Sequence, residues 1–185
     1  SLITELMELA SMLSTARQSV PPPARLDAMQ GVLADIAADR GLTYEPAWPA
    51  IAGEVDGRRI ELTIRREDEG YRATVTGWMR SPYDLGFRLR RQIEPDGYWS
   101  VGQDIQVADD AFDAAFVIKG YSPIAVRELL TPAARQRLLG LFDLGELTVD
   151  DHTLRLSRLA LDAATLRDAI DRVLGTLDVL DTGPA

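Results

Sequence analysis

Val55-Asp56-Gly57-Arg58-Arg59-Ile60-Glu61-Leu62-Thr63 is the stretch on which the fold turns. It is echoed by Val149-Asp150-Asp151-His152-Thr153-Leu154-Arg155-Leu156-Ser157. Each copy reads as a strand end, a tight turn and a second strand with alternating apolar residues. Each also follows an amphipathic helix. The expected fold is α+β: a mainly antiparallel sheet with helices packed on one face, built around an internal helix-plus-hairpin repeat. The echo speaks to architecture and carries no chemistry of its own.

Outward from the first copy, Asp56-Gly57 suits a type I′ turn joining strands 51–55 and 58–66. Ile60, Leu62 and Ile64 face one way, and Arg59, Glu61, Thr63 and Arg65 the other. Strands are expected over 71–79, with Tyr71, Ala73 and Val75 inward, and over 85–93, with Leu85, Phe87, Leu89 and Ile93 inward. Pro95-Asp96-Gly97 turns the chain. Residues 101–110 read as loop. Residues 112–119 read as a strand whose alanines also permit a helical turn. Before the first hairpin, Leu26, Met29, Val32, Leu33 and Ile36 make the stripe of a helix over 24–40 that Gly41 ends. The segment 44–49, with Pro46 and Pro49, is an ordered loop or edge.

Outward from the second copy, Ser122-Pro123 and Thr131-Pro132 each place a hydroxyl cap before a first-turn proline. They predict short helices over 123–130 and 132–142. The hairpin is expected from strands 147–149 and 153–158. Asp162 caps a long last helix with a stripe of Leu166, Ile170, Val173, Leu174 and Leu177. At the other end, Leu2, Leu6, Leu9 and Leu13 follow helical spacing over 2–17, ahead of Pro21-Pro22-Pro23. The expected organisation is an N-terminal amphipathic helix (1–20), a proline linker (21–23), one α+β domain (24–180) and a frayed tail (181–185).

Composition narrows the function classes. The chain has 185 residues, 46% hydrophobic and 26% charged, as in an ordinary globular protein. It has no cysteine, which removes disulfides, thiol catalysis and thiolate metal sites. Lys119 is the only lysine beside 19 arginines, and asparagine is absent; this bias fits GC-rich coding. The net charge of −9 argues against nucleic acid and anionic lipid as partners, because both need a positive footprint. No apolar run approaches the ~20 residues of a membrane span, and no signal-peptide pattern is visible. The expected location is cytoplasmic, with an upstream targeting or membrane segment left open.

Four candidate sites come from the residues. His152, the only histidine, sits beside Asp150 and Asp151; an acid–base pair would use such residues, but a hairpin turn uses them too, through backbone angles that Asp and His tolerate. Asp104, Asp109, Asp110 and Asp113 could offer oxygens to a hard cation, yet their spacing matches no calcium loop, and turn caps explain them. Trp48, Tyr83, Tyr98 and Trp99 fit the rim of the core better than a base-stacking platform. The fourth is an arginine-rich sheet face. Arg59, Arg65, Arg72, Arg88 and Arg90, with Trp78 and Thr76, could line one wet surface suited to phosphate, carboxylate or an acidic segment. Cross-strand pairing of those arginines with Glu61 and the Glu67-Asp68-Glu69 turn would leave it a solvated face instead. No phosphate loop, dinucleotide fingerprint, nucleophile elbow or zinc-protease helix is present, so neither an enzyme nor a cofactor is expected.

Phe112-Asp113-Ala114-Ala115-Phe116-Val117-Ile118-Lys119-Gly120, then Leu130-Thr131-Pro132 and the 149–156 hairpin, resembles a group of bacterial proteins with an FD-x-x-F-x-[VI]-[KR]-G … LTP pattern. That resemblance covers the C-terminal half and implies no activity. The order helix, strands, helix, strands, helix in an acidic chain is similar to class I type III secretion chaperones, which implies an acidic binding protein. The stretch from 58 to 119 is longer than that fold requires. The resulting expectation is a bacterial, non-catalytic protein-binding or accessory module that binds a protein partner or self-associates. Its interaction elements would be the helix bearing Leu2, Leu6, Leu9 and Leu13 and the arginine-rich face. The alternative is an anion or small-ligand binding domain on that face.

Overall fold

A computed structural model of the chain describes residues 24–68, 70–92 and 104–183. The helix expected over 2–17, with Leu2, Leu6, Leu9 and Leu13, and the linker 21–23 lie outside the described residues. So do Ile93, the 95–97 turn, Tyr98 and Trp99.

In chain order the elements are α1 (Ala24–Arg40), β1 (Thr43–Glu45), β2 (Ala50–Val55), β3 (Arg58–Glu67), β4 (Gly70–Trp78) and β5 (Arg88–Arg91). Then come α2 (Asp110–Ala115), β6 (Phe116–Lys119), α3 (Pro123–Leu129), α4 (Pro132–Phe142), β7 (Glu146–Asp150), β8 (Thr153–Leu159) and α5 (Ala163–Thr182). The strands form one sheet ordered β1-β2-β3-β4-β8-β7-β5-β6, and every neighbouring pair is antiparallel. The fold is therefore α+β, as the two hairpins require. The second hairpin, β7–β8, is inserted between β4 and β5.

Register sorts the side chains into alternating rows. Ile118, Leu89, Val149, Leu154, Gly77 and Ile60 align across six strands, and Leu147, Leu156, Val75, Leu62 and Ile51 form the next inward row. Both rows are buried. Helix α5 covers β3, β4 and β8, α1 covers β1 and β2, α4 lies on β7 and α2 on β6. The apolar stripe of α5, with Leu166, Ile170, Val173 and Leu177 all at or below 1% exposure, explains why the long last helix takes the middle of the sheet. Hydroxyl and carboxylate caps start the helices as expected: Ser122 accepts from the N–H of Ala125, Thr131 from Ala134 and Asp162 from Thr165. The N–H of Thr165 holds the Asp162 carboxyl below its ordinary range.

Three expectations are corrected. The strand expected over 85–93 is confined to Arg88–Arg91, because residues 85–87 turn away to donate their N–H groups to the Asp151 carboxylate. The segment 112–119 splits into α2 and β6; Asp109 caps the helical turn through the N–H of Phe112, which favours helix over strand at the alanines. The tail does not begin at 181. Helix α5 continues to Thr182, and Asp181 is 11% exposed and ion-paired to Arg58.

That ion pair belongs to the most polar part of the core. Arg58, 2% exposed, reaches Asp181 at 2.6 Å and Asp178 at 2.9 Å, and donates to the carbonyl of Trp78 at 2.9 Å. The Tyr83 hydroxyl donates to Asp181 at 3.0 Å. Burial first, and then the Asp181 charge, push the Tyr83 hydroxyl far above its ordinary range, so it stays a neutral donor. The cluster ties the start of β3, the end of β4 and the last turn of α5 together.

Candidate functional site

Because those helices share one face of the sheet, the opposite face is left to the polar half of each strand. Its rows follow from the same register. Val117, Arg90, Thr148, Arg155, Thr76 and Glu61 align from β6 to β3. In the neighbouring row, Lys119, Arg88 and Asp150 are consecutive, Thr153 pairs with Trp78, and Glu54 pairs with Arg59. The guanidinium of Arg59 lies over the Trp78 ring, 4.0 Å from its centroid, a cation–π contact that fixes a flat platform on β3–β4. Arg65 and Arg72 are cross-strand partners further along the same two strands.

The arginines expected on one wet surface therefore do share it, but in separate groups. Arg59 with Trp78, and Arg65 with Arg72, stand on β3–β4. Arg88 and Arg90 stand three strands away on β5, with β8 and β7 between. The expected pairing with the 67–69 turn is not what Glu67 does, since its carboxylate accepts from Arg158 at 3.1 Å. Two cations were missed by the sequence reading. Arg155 fills the gap between the groups, and Lys119 extends the β5 group to the edge strand. Alternation against Leu154 and Leu156 would have placed Arg155 on the polar face; its row partners needed the strand order. Arg155 has no hydrogen-bond or ion-pair partner among the described residues.

At the β5–β6–β7 end the face sinks into a half-open depression of about 480 Å³. Its floor carries Arg88, Arg90, Val117, Lys119, Thr148 and Asp150, and Tyr121 and His152 stand at its rim. One wall is built by an unusual loop. The Asp151 carboxylate accepts the N–H groups of Leu85 (3.2 Å), Gly86 (2.8 Å) and Phe87 (3.0 Å), and the carbonyl of Leu85 accepts from the N–H of Tyr121 at 2.7 Å. Gly86 has φ +59 and lies so close under Tyr121 that a Cβ would sit 2.6 Å from the ring. Only glycine meets both demands.

The other sequence candidates resolve into structural roles. Asp150 Oδ1 accepts from the N–H groups of His152 and Thr153, both at 2.8 Å, and the carbonyl of His152 accepts from Met79. Neither Asp151 nor His152 has positive φ, so the expected tolerance of unusual backbone angles is not what shapes that turn. Asp104 accepts from the N–H of Ile118 at 2.7 Å, Asp113 from Val107 and Asp109, and Asp109 from Arg135 at 2.9 Å. The Arg135 side chain leads the causes that lower the Asp109 carboxyl. These acids cap and pin the 104–113 loop, and among the described residues no group of acids and histidine is arranged to hold a metal ion. Asp104 and Ile105 also close the outer edge of β6, since Ile105 donates to the carbonyl of Ile118. Trp48 is exposed on the 46–49 turn.

No family model and no curated protein matches the chain. Among solved structures, the mycobacterial trehalose monomycolate transport factor A, TtfA, has a similar fold, with a TM-score of 0.51 at 13% identity. The match covers 83% of this chain and 94% of that one. At that identity the likeness is one of fold. Among the described residues no helix is long and apolar enough to cross a membrane.

Proposed function

We propose that this chain is a non-catalytic accessory module that captures an acidic segment of a protein partner on its open sheet face. The observation that carries the reading is the asymmetry of the sheet. Among the described residues, helices cover one face, while the other presents Arg59 on Trp78, Arg65, Arg72, Arg155, Arg88, Arg90 and Lys119 against Glu45, Glu54, Glu61, Glu146 and Asp150, with Glu67 paired to Arg158. In a chain of net charge −9, a cationic face orients an acidic partner, because the remainder of the surface repels it. Guanidinium forks match carboxylates, and the stacked indole adds a rigid apolar contact. The solved neighbour is named a transport factor, and an accessory role agrees with this reading.

The test is calorimetric titration of the full chain with a glutamate-rich peptide at about 50 mM and about 300 mM NaCl. Saturable binding is expected at the lower salt and should weaken steeply at the higher. Arg59→Ala with Arg155→Ala should weaken it by about tenfold or more. No binding at the lower salt, or binding indifferent to both the salt and the double substitution, overturns the reading.

A further inference from the structure

The depression at the β5–β6–β7 end is a built feature that the sheet and its helices do not account for. We infer that it is a seat for a compact oxyanion, a phosphate or carboxylate group, held between Arg88 and Lys119 and bounded by the Tyr121 ring. The inference rests on the reading of this face as the recognition surface and adds a ligand class and a location to it.

Three observations converge. Arg88 and Lys119 are direct cross-strand partners, and side chains so placed stand about 5 Å apart at their Cβ atoms, close enough to reach one tetrahedral or planar anion together. Arg88 has no hydrogen-bond or ion-pair partner among the described residues, so its charge is available to a ligand. Arg90 adds a third cation on the same floor.

The second observation concerns the carboxylates at this end, which are already engaged. Asp151 accepts from three backbone N–H groups, and Asp150 Oδ1 accepts from two N–H groups and the Thr153 hydroxyl. Asp151 is thereby turned into the 85–87 loop, and Asp150, the cross-strand neighbour of Arg88 on β7, is held to the turn through its Oδ1.

The third is compositional. In a chain whose other cationic side chains are all arginine, the one lysine and the one histidine both line this depression. An ammonium is a compact point charge that fits beside an oxyanion where a second planar fork would crowd it. Tyr121, held over Gly86 yet 85% exposed, provides a flat wall for whatever carries the anion.

His152 makes the experiment direct, since a single histidine gives uncrowded ring-proton signals at the rim. The full chain is titrated with inorganic phosphate and, separately, with acetate, at ionic strength held constant with sodium chloride. Saturable movement of the His152 ring signals is expected with phosphate, with acetate weaker, and the apparent affinity should fall by about tenfold in Arg88→Gln and in Lys119→Gln. Linear drift equal to that of a chloride control, or saturation unchanged in both variants, overturns the inference. Far-ultraviolet circular dichroism and thermal melts of both variants, expected to match the parent, separate lost binding from lost fold. The glutamate-rich peptide supplies the second arm. If it competes with phosphate at His152, the seat takes a partner's carboxylates; if it binds without displacing phosphate, the seat takes a free small anion. Peptide binding by the parent with no phosphate response defeats this inference alone, and a phosphate response without peptide binding defeats only the partner reading.

Discussion

The hairpins β2–β3 and β7–β8 share a sequence pattern and a sheet, yet they turn by different physics. In the first, Val55 pairs with Arg58, and Asp56 (φ 51) and Gly57 (φ 73) make the turn with positive backbone angles, as a type I′ turn requires. In the second, Val149 pairs with Leu154, the apex falls on Asp151-His152, and neither residue has positive φ. The apex has moved one residue along the shared pattern. Asp151 stands where the first copy has Gly57, and the left-handed conformation costs a residue with a side chain more than it costs glycine. The side chain of Asp150 closes the second turn instead, as an Asx motif. A one-residue shift of apex changes the pairing by two residues, which keeps Leu154 and Leu156 on the inward face. Similar sequences thus preserve facing while differing in register, and only the side-chain-built turn frees an aspartate, Asp151, to organise a distant loop.

The same comparison predicts where each hairpin is fragile. At the first, the residue after the turn is Arg58, buried against Asp178 and Asp181; at the equivalent place in the echo stands exposed His152. Arg58→Ala strips a buried cation from a nearly buried carboxylate, and a loss of about 3–5 kcal/mol is expected, measured as a shift of the urea midpoint at unchanged slope. A loss below about 1 kcal/mol would mean that water already solvates the Arg58–Asp181 pair.

The second hairpin's weak point is Asp151. Asp151→Ala leaves the N–H groups of Leu85, Gly86 and Phe87 without their acceptor, and about 2–3 kcal/mol should be lost. Faster amide exchange should be confined to residues 85–87 and the neighbouring wall of the depression. Asp151→Asn keeps one acceptor oxygen and should recover part of the loss. Global acceleration of exchange would instead show that the loop and the sheet open together.

These two residues also mark how far the sequence can be read. Local devices were legible: the caps at Ser122, Thr131 and Asp162, the Asp56-Gly57 turn, the stripe of α5, and the alternation that puts Arg59 and Arg65 opposite Ile60 and Leu62. Each depends on residues within a few positions of one another. What could not be read depends on partners far apart in the chain. Asp151 meets residues 85–87 across more than sixty positions, and Arg58 meets Asp181 across more than a hundred. The separation of Arg59 from Arg88 follows from inserting β7–β8 into the sheet, which no local pattern encodes. The candidate face was half legible for that reason: which side chains share it follows from alternation, but which stand side by side requires the strand order.

The smallest expected effects decide the turn comparison itself, because each reads the sign of φ at one apex. Gly57→Ala forces a side chain into a left-handed backbone and should cost about 1 kcal/mol, although the nearest atom to the added Cβ is an Arg80 nitrogen at 3.6 Å and space is no obstacle. His152→Gly should be slightly destabilising, by about 0.5 kcal/mol, because at a negative φ glycine only adds freedom to the unfolded chain. Were His152, at the second apex, held at positive φ as Gly57 is at the first, the same substitution would relieve strain and stabilise the protein. Urea denaturation of the two variants beside the parent reads both signs at once: loss in each upholds two kinds of turn, whereas gain at position 152 gives the second apex the left-handed backbone of the first.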